Sequence, residues 1–330
     1  MFVRASAPGK LVLLGEYAVL DGARALVVAV DRRATAELEP ASGTTNRVTT
    51  RMPGETVTES ASGQPTGVGL VDALAATGVE PRWPAWSLTL DSSAFFADQL
   101  KLGLGSSAAA LVALAGAWWA AAGRSKRPEL AELVACHRAF QHGAGSGIDV
   151  AAAWAGGALE FSLSADSEPV IGSVRLPKSV GFAGIFAGGS ASTPGLVGQY
   201  RRWAEERPTA AAVLRQRMTD VAALGCAAVT EQDGTAFVTA IAAYGQCLGA
   251  LGDAIGADLV TSEHRAIGEL AGEFGLAYKV SGAGGGDVGI ACGIDRDALA
   301  AFSAAAKERD FRVVPLEVDE TGLQVEERAA

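Results

Sequence analysis

The stretch Lys101-Leu-Gly-Leu-Gly-Ser-Ser-Ala-Ala-Ala-Leu (residues 101–111) joins a glycine-rich turn to a run of strong helix formers. Gly103 and Gly105 have no Cβ, so the backbone there can come close to a ligand. The helix predicted to begin at Ser106 and to run to about Ala122 leaves its first-turn N–H groups unpaired at the positive end of its dipole. The stretch therefore predicts an anion site, with phosphate as the first candidate.

Two other interpretations of this stretch bear on the prediction. It is not a Walker A motif, because no Gly-Lys-Ser/Thr follows at the required spacing. Ser106 and Ser107 could also be simple caps of a buried helix. The stretch by itself does not separate a phosphate loop from a capped core helix.

Two further segments separate these interpretations. Residues 7–20 read Ala-Pro-Gly-Lys-Leu-Val-Leu-Leu-Gly-Glu-Tyr-Ala-Val-Leu, and residues 279–291 read Lys-Val-Ser-Gly-Ala-Gly-Gly-Gly-Asp-Val-Gly-Ile-Ala. Together with residues 103–109 they resemble, in the same order, the three motifs of the GHMP kinases (galactokinase, homoserine, mevalonate and phosphomevalonate kinases). One glycine-rich loop is a weak signal, whereas three in order over nearly the whole chain are specific.

The fold expected on this basis is α+β. The first half is rich in predicted strands, and the second half holds long helical patterns followed by strands, which is typical of that class. The resemblance implies two domains, residues 1–169 with the ATP loop and the catalytic Asp, and residues 170–330 with a ferredoxin-like fold. It also implies an active site in the cleft between them. A polar stretch at residues 41–62 is the nearest thing to a linker.

Composition limits the class of protein. Of 330 residues, 49% are hydrophobic and 19% charged, and the net charge of −10 argues against a nucleic-acid partner. The uncharged segment 102–123 is rich in Ala and Gly and is interpreted as a buried helix, not a membrane span. Four scattered cysteines and three histidines make a zinc site improbable. We expect a cytoplasmic protein without membrane association; its oligomeric state stays open, with a homodimer among the options.

Two residues are candidates for catalysis. Lys10 follows a Pro-Gly turn and precedes an apolar run, although most lysines are solvated surface residues. Asp149 lies in Gly-Ser-Gly-Ile-Asp, where it could be only a carboxylate stabilised by a helix dipole. The resemblance assigns Lys10 to the phosphoryl group in transit, and Asp149 to accepting the proton of the acceptor hydroxyl or to orienting that hydroxyl and Lys10. The sequence does not separate these two roles.

The cofactors implied are ATP and Mg²⁺. The residues expected at the nucleotide are Gly103, Leu104, Gly105, Ser106, Ser107 and Ala108. Ser107 is the preferred metal contact, with Ser106 as the second choice. Where mevalonate kinases place a metal-binding glutamate, counting back from Asp149 leads to Arg138, which leaves the metal shell undefined.

The acceptor is expected to be a small phosphorylated hydroxy acid. Tyr17 stands where mevalonate kinases usually have His, and the segments at residues 145–152, 189–197 and 281–287 are similar to the phosphomevalonate kinase branch. Residues expected at the acceptor are Glu16, Tyr17, Arg138, Ser146, Gly147, Ser192, Thr193, Gly282, Ala283 and Gly284. Mevalonate kinase or another small-molecule GHMP kinase is the alternative within enzymes, and a catalytically dead small-molecule sensor is the alternative outside them.

Overall fold

The computed structural model describes residues 2–143, 145–189 and 192–328, and within them it contains two main β-sheets and nine α-helices. The strands are β1 (Phe2–Leu14), β2 (Ala25–Pro40), β3 (Thr45–Met52), β4 (Gly54–Ala61), β5 (Trp86–Asp91), β6 (Phe96–Ala97), β7 (Leu100–Lys101), β8 (Ala158–Leu163), β9 (Pro169–Val174), β10 (Gly181–Phe186), β11 (Ala277–Val280), β12 (Val288–Gly293), β13 (Arg312–Val314) and β14 (Gln324–Arg328). The helices are α1 (Gly69–Ala75), α2 (Ser106–Ala121), α3 (Leu130–Phe140), α4 (Ile148–Ala155), α5 (Thr193–Glu206), α6 (Pro208–Glu231), α7 (Gly234–Ile255), α8 (Ser262–Glu273) and α9 (Arg296–Glu308). The α+β prediction is confirmed.

The first sheet has the strand order β14-β1-β2-β5-β3-β4, with β8 also paired to β2 and β9 paired to β8. The register of β1 against β2 shifts between Pro8 and Gly9. Proline lacks the N–H that a regular ladder needs, which accounts for the shift. A Cβ on Gly9 would lie only 2.7 Å from the Leu104 carbonyl oxygen, so this glycine lets the 103–107 loop pack on β1.

The polar stretch at residues 41–62 is not a linker, because it forms the hairpin β3–β4. β4 is almost wholly exposed. It therefore has no buried face and no apolar alternation that the sequence could display.

Helix α2 packs against β1 and β2 at the centre of the molecule, and every residue in it except Ser107 is buried. This confirms the buried-helix interpretation of segment 102–123. Among the described residues one helix, α7, is long and apolar enough to cross a membrane by length and composition, and 44% of its most apolar window is buried. A core helix passes the same test, and α7 packs on α6 and β11, so the evidence for a span is weak.

The second sheet is antiparallel with the order β11-β12-β10-β13, and α8 and α9 pack against it. This is the ferredoxin-like arrangement that was predicted for the C-terminal half, with α5, α6 and α7 added between β10 and α8. The predicted boundary after residue 169 falls at the start of β9, which belongs to the first sheet, and β14 returns to pair with β1. The division into residues 1–169 and 170–330 stays a prediction.

Candidate active site

A cavity of about 320 Å³ lies where the glycine-rich segments converge. Its walls come from β1 and the turn after it, the start of α2, the turn before α4, the start of α5, and the loop between β11 and β12. The lining residues are Lys10, Val12, Glu16, Tyr17, Val19, Leu20, Lys101, Gly103, Gly105, Ser107, Gln141, Gly145, Ser146, Ile148, Asp149, Ser192, Thr193, Pro194, Val197, Gly282, Ala283 and Asp287.

The N-terminus of α2 opens at this cavity. Its N-cap residue is Gly105, with φ of 80°, a left-handed conformation that glycine adopts without strain. Gly105 has no side chain to accept a hydrogen bond from the first-turn N–H groups, and Ser106 and Ser107 follow inside the helix instead of capping it. The arrangement fits an anion site and does not support the capping interpretation.

Lys10 lies beside this helix end and is buried. Its Nζ donates to the Gly103 carbonyl at 3.1 Å, and its backbone N–H donates to the Leu104 carbonyl at 2.9 Å. Burial lowers the pKa of Lys10, while the carboxylates of Asp149, Asp287 and Glu16 oppose that shift. A partly desolvated cation among carboxylates attracts anionic oxygens more strongly than a solvated lysine does.

Asp149 lies in the first turn of α4, whose N-cap is Gly147 with φ of 87°. One carboxylate oxygen accepts from the Val150 N–H at 3.0 Å. A Cβ built on Gly105 would lie 3.5 Å from Lys10 Cε and 3.7 Å from Asp149 Cβ. The two predicted catalytic side chains therefore flank the same glycine, and both line the cavity.

His137 has no role predicted from the sequence, yet its side chain connects two predicted site residues. Its Nε2 lies 3.1 Å from the Ser107 hydroxyl oxygen, and its Nδ1 lies 4.0 Å from an Asp149 carboxylate oxygen. The ring is 2% exposed and stacks on Phe140. A single histidine within a helix gives no sequence pattern that indicates a site. The packing of α3 against α2 and α4 brings His137 to this position.

The β11–β12 loop (Gly282–Gly286) is held by a buried ion pair. Lys279 Nζ donates to Glu16 Oε1 and, at 3.3 Å, to the Val12 carbonyl, and both charged side chains are almost fully buried. Glu16 Oε1 also accepts from the Gly282 N–H at 3.2 Å, whereas Oε2 is buried with no hydrogen-bond partner among the described residues. Burial lowers the pKa of Lys279, and Glu16 opposes the shift. Glu16 thus anchors the loop and also lines the cavity.

Two further side chains anchor the same loop through its carbonyls. The Tyr17 hydroxyl donates to the Ala283 carbonyl at 2.6 Å. His264 Nε2 lies 2.9 Å from the Gly286 carbonyl and Nδ1 lies 2.7 Å from the Tyr278 hydroxyl. Because a carbonyl only accepts, Nε2 carries the proton and Nδ1 accepts from Tyr278. Burial lowers the pKa of His264, which favours this neutral form.

Most of the predicted site residues meet in the cavity. Those that line it are Lys10, Glu16, Tyr17, Gly103, Gly105, Ser107, Ser146, Asp149, Ser192, Thr193, Gly282 and Ala283. Those that do not are Leu104, Ser106, Ala108, Arg138, Gly147 and Gly284. Leu104 and Ala108 are core residues, and a Cβ on Gly284 would lie 2.6 Å from the Leu259 carbonyl, so that glycine packs away from the cavity.

Arg138 does not reach the cavity that its predicted role requires. Its guanidinium donates to the carbonyls of Gly145 at 3.3 Å, Ser146 at 3.0 Å and Ser167 at 3.0 Å, so it supports the turn that leads into α4. The described cations that line the cavity are Lys10 and Lys101. Lys101 was not among the predicted site residues, although it is the first residue of the glycine-rich stretch 101–111.

The oxygen donors around the cavity suit Mg²⁺ only in combination with a phosphorylated ligand. No group of three or more His, Cys, Asp or Glu in the described part of the chain could hold a metal by itself. The Ser107 hydroxyl and the carboxylates of Asp149, Asp287 and Glu16 line the cavity, and hard oxygen ligands are those that Mg²⁺ prefers. Nucleotide phosphates would have to supply the remaining ligands.

Comparisons with known proteins agree with this geometry. Residues 79–157 match the GHMP kinases N terminal domain. The chain is 29% identical to the phosphomevalonate kinase of Streptomyces sp. (strain CL190), over 86% of this chain and 88% of that one.

Among solved structures, the fold matches Streptococcus pneumoniae phosphomevalonate kinase in complex with phosphomevalonate and AMPPNP, with a TM-score of 0.79 and 19% identity over 96% of this chain and 99% of that one. It also matches L. major mevalonate kinase in complex with R-mevalonate, with a TM-score of 0.72 and 18% identity over 96% of each chain. Residues 79–157 thus match the GHMP kinase N-terminal domain, and over most of its length the chain is similar to phosphomevalonate kinase.

Proposed function

We propose that this kinase transfers the γ-phosphoryl group of ATP to (R)-5-phosphomevalonate, giving 5-diphosphomevalonate and ADP. The observation that carries the proposal is the meeting of Lys10 and Asp149 beside Gly105, at the open N-terminus of α2. The similarity to a phosphomevalonate kinase over 86% of the chain supports this choice of acceptor.

In this proposal the α2 N-terminus holds the ATP phosphates through its first-turn N–H groups. Ser107 would hold Mg²⁺, and the bound ion would neutralise charge on the ATP phosphates. His137 orients the Ser107 hydroxyl: if Nε2 accepts the hydroxyl hydrogen, the oxygen lone pairs are left for the metal.

Lys10 stabilises the charge of the phosphoryl group in transit, which is the main task in phosphoryl transfer. With this acceptor the attacking atom is a phosphate oxygen, and the new bond joins it to the γ-phosphorus as the bond to the ADP oxygen breaks. A phosphate monoester loses its second proton near pH 6, so the attacking oxygen is already ionised at neutral pH. Asp149 then needs to accept no proton, and its role is to orient Lys10.

The acceptor carries a phosphate of its own in addition to those of ATP, and two described lysines, Lys10 and Lys101, line the cavity. Lys101 takes the role that was predicted for Arg138, because it lines the cavity and Arg138 does not. Ser192 caps α5 by accepting from the Gly195 N–H at 3.4 Å. Ser192 and Thr193 both line the cavity, and the Thr193 hydroxyl is therefore our candidate for binding the acceptor. A catalytically dead sensor is disfavoured, since Lys10, Ser107 and Asp149 all line one cavity.

The test is ATP consumption with a panel of acceptors, followed by identification of the product by mass spectrometry. We expect magnesium-dependent conversion of phosphomevalonate to the diphosphate. Faster turnover of unphosphorylated mevalonate than of phosphomevalonate would assign the chain to mevalonate kinase, and no turnover of any acceptor would favour the sensor.

A variant pair tests the acceptor site separately. Lys101→Met should raise the KM for phosphomevalonate about ten- to a hundredfold, the effect of losing one charge-assisted hydrogen bond, with less change for ATP. Lys126→Met removes an exposed lysine outside the cavity and serves as the control. Equal KM values in the two variants would remove Lys101 from the acceptor site.

A further inference from the structure

Helix α6, none of whose residues lines the active-site cavity, carries large apolar side chains on an exposed face. Val213 and Leu224 are 69% and 67% exposed, the two highest values among the exposed large hydrophobic side chains of the described residues. Eleven residues at about 100° each amount to three turns plus about 20°, so both side chains lie on one face, about 16 Å apart along the axis. α6 packs on α7 and α5 through its other faces.

Between these two apolar side chains lies a pair of opposite charges. Arg217 and Asp220 are exposed and form no ion pair with each other within the described structure, and Asp220 accepts a hydrogen bond from Gln216 Nε2 at 2.8 Å. A groove lined by Ala212, Val213, Gln216, Arg217, Asp220 and Val221 follows the same face. With Ala210 and Ala227 at its ends, the stripe is Ala210, Val213, Arg217, Asp220, Leu224 and Ala227, which has the alternating three- and four-residue spacing of a coiled-coil seam.

This stripe reads as small, apolar, basic, acidic, apolar, small, so it is complementary to itself when reversed. We propose that it is the contact surface for a second copy of this chain, with the two α6 helices antiparallel about a two-fold axis between Met218 and Thr219. Val213 would then pack on Leu224 of the partner subunit, and Arg217 would pair with Asp220 of the partner subunit. Each contact occurs twice, as a two-fold interface requires.

The charges exclude the parallel alternative. A parallel pair would put Arg217 against Arg217 of the partner subunit and Asp220 against Asp220 of the partner subunit, and like charges across an interface are strongly unfavourable. The antiparallel arrangement turns the same four charges into two complementary pairs. The exposed apolar side chains at each end would be removed from water in the same step.

Charge reversal in the full-length chain tests the surface. We expect the parent to sediment as a dimer at micromolar concentration. Arg217→Asp and Asp220→Arg should each raise the dimer dissociation constant roughly tenfold or more, because each places like charges opposite one another. The double variant Arg217→Asp/Asp220→Arg should restore the dimer, since the reversed charges again meet as opposite pairs.

Controls separate this outcome from a general effect of charge or folding. Lys126→Asp makes the same change in net charge on an exposed loop residue and should leave the dissociation constant unchanged. Far-UV circular dichroism should show the same folded structure in all variants, and kinase turnover should be equal because none of these residues lines the active-site cavity. A monomeric parent, a dimer insensitive to Arg217→Asp, or a double variant no better than the singles would each overturn the proposal.

Discussion

The two glycine-rich loops at the cavity are held in place through different backbone groups. The α2 loop (Gly103–Ser107) is tied to β1 through carbonyls, since Gly103 and Leu104 both accept from Lys10. The β11–β12 loop is tied through both kinds of backbone group. Its Gly282 N–H donates to Glu16 and its Gly286 carbonyl accepts from His264.

The difference follows from what each loop has to do. A loop that binds an anion through its own N–H groups must keep those donors available, so it can be fixed only through carbonyls and packing. In the β11–β12 loop the N–H groups of Gly282 and Gly285 already donate to Glu16 and to the Leu259 carbonyl, so we interpret this loop as a fixed wall. Its anchors are buried polar side chains, whose removal is costly because each leaves a partner unsatisfied.

Removing the buried cation of the β11–β12 loop should have the largest effect on stability. Lys279→Met leaves the Glu16 carboxylate buried without its ion-pair partner, which should lower the free energy of unfolding by about 3–5 kcal/mol. Urea denaturation measures this change. Arg265→Met breaks the exposed pair with Asp258, whose side chains are 57% and 61% exposed, and should cost no more than about 1 kcal/mol. Equal losses in both variants would contradict the view that this loop depends on buried polar anchors.

Removing the proposed catalytic groups beside the α2 loop should affect turnover instead. Lys10→Met and Asp149→Asn should each lower kcat by about a hundredfold or more, the usual scale for losing a charge-stabilising group or its correct position. ATP affinity, measured by calorimetry, should change far less because the helix N–H groups remain. A variant that keeps the parental kcat would remove that residue from the site.

The contact between the two loops can be broken with one methyl group. A Cβ on Gly103 would lie 2.3 Å from the Asp287 side chain, so Gly103→Ala must displace one loop from the other. We expect the KM for ATP to rise roughly tenfold. The displacement of the loops should cost about 1–2 kcal/mol, in addition to the strain of an alanine at a left-handed φ.

Gly43→Ala is the matched control for that prediction. Gly43 also has positive φ, at 90°, but a Cβ there would meet nothing within 4 Å. The control should lose a little stability and keep the parental KM. If both variants behaved alike, backbone strain rather than loop contact would explain the result.

A histidine contacts each loop: His264 contacts the β11–β12 loop, and His137 contacts Ser107 at the α2 loop. Two substitutions of His137 separate the contributions of its two ring nitrogens. In His137→Gln the amide reaches the position of Nε2 and can still meet Ser107, whereas in His137→Asn it reaches only the position of Nδ1. Loss of one neutral hydrogen bond should weaken binding of the magnesium–ATP complex about fivefold in the Asn variant and less in the Gln variant. Calorimetric titration without acceptor gives this comparison independently of turnover. Equal binding in both variants would remove the Ser107 contact from the metal site.

The burial of Lys10 predicts a pH effect of known sign. Burial lowers the pKa of Lys10 below the ordinary 10.5. As the pH rises through this lowered pKa, Lys10 loses its proton and the site loses a positive charge. The alkaline limb of kcat/KM should therefore lie below that value, and the limb of kcat should lie higher because bound phosphates favour the charged lysine. Lys10→Arg should move the limb upward, since guanidinium stays protonated. A limb that does not move would assign it to another group.

The parts of this molecule that were predictable carry strong local patterns. The α2 loop combines two glycines, two serines and an apolar helix, and Lys10, Ser107 and Asp149 all occur in motif segments that converge on one cavity. By contrast, β14 has no buried residue and β4 almost none, so neither shows the alternation that marks a strand. These strands exist because β1 and β3 present open edges to them.

The sequence alone indicated the buried helix α2, because an uncharged apolar segment is a local pattern. It also indicated the glycines and hydroxyls proposed to meet phosphate, because backbone freedom and side-chain type are properties of single residues. Tertiary structure decided which side chains face the cavity. Counting back from Asp149 led to Arg138, but adjacent residues on a helix point about 100° apart, and it is His137 that meets Ser107. The pair of Lys279 and Glu16, 263 residues apart, likewise has no local signature. Its partners are chosen by the packing of β11 against β1, which no short segment of sequence specifies.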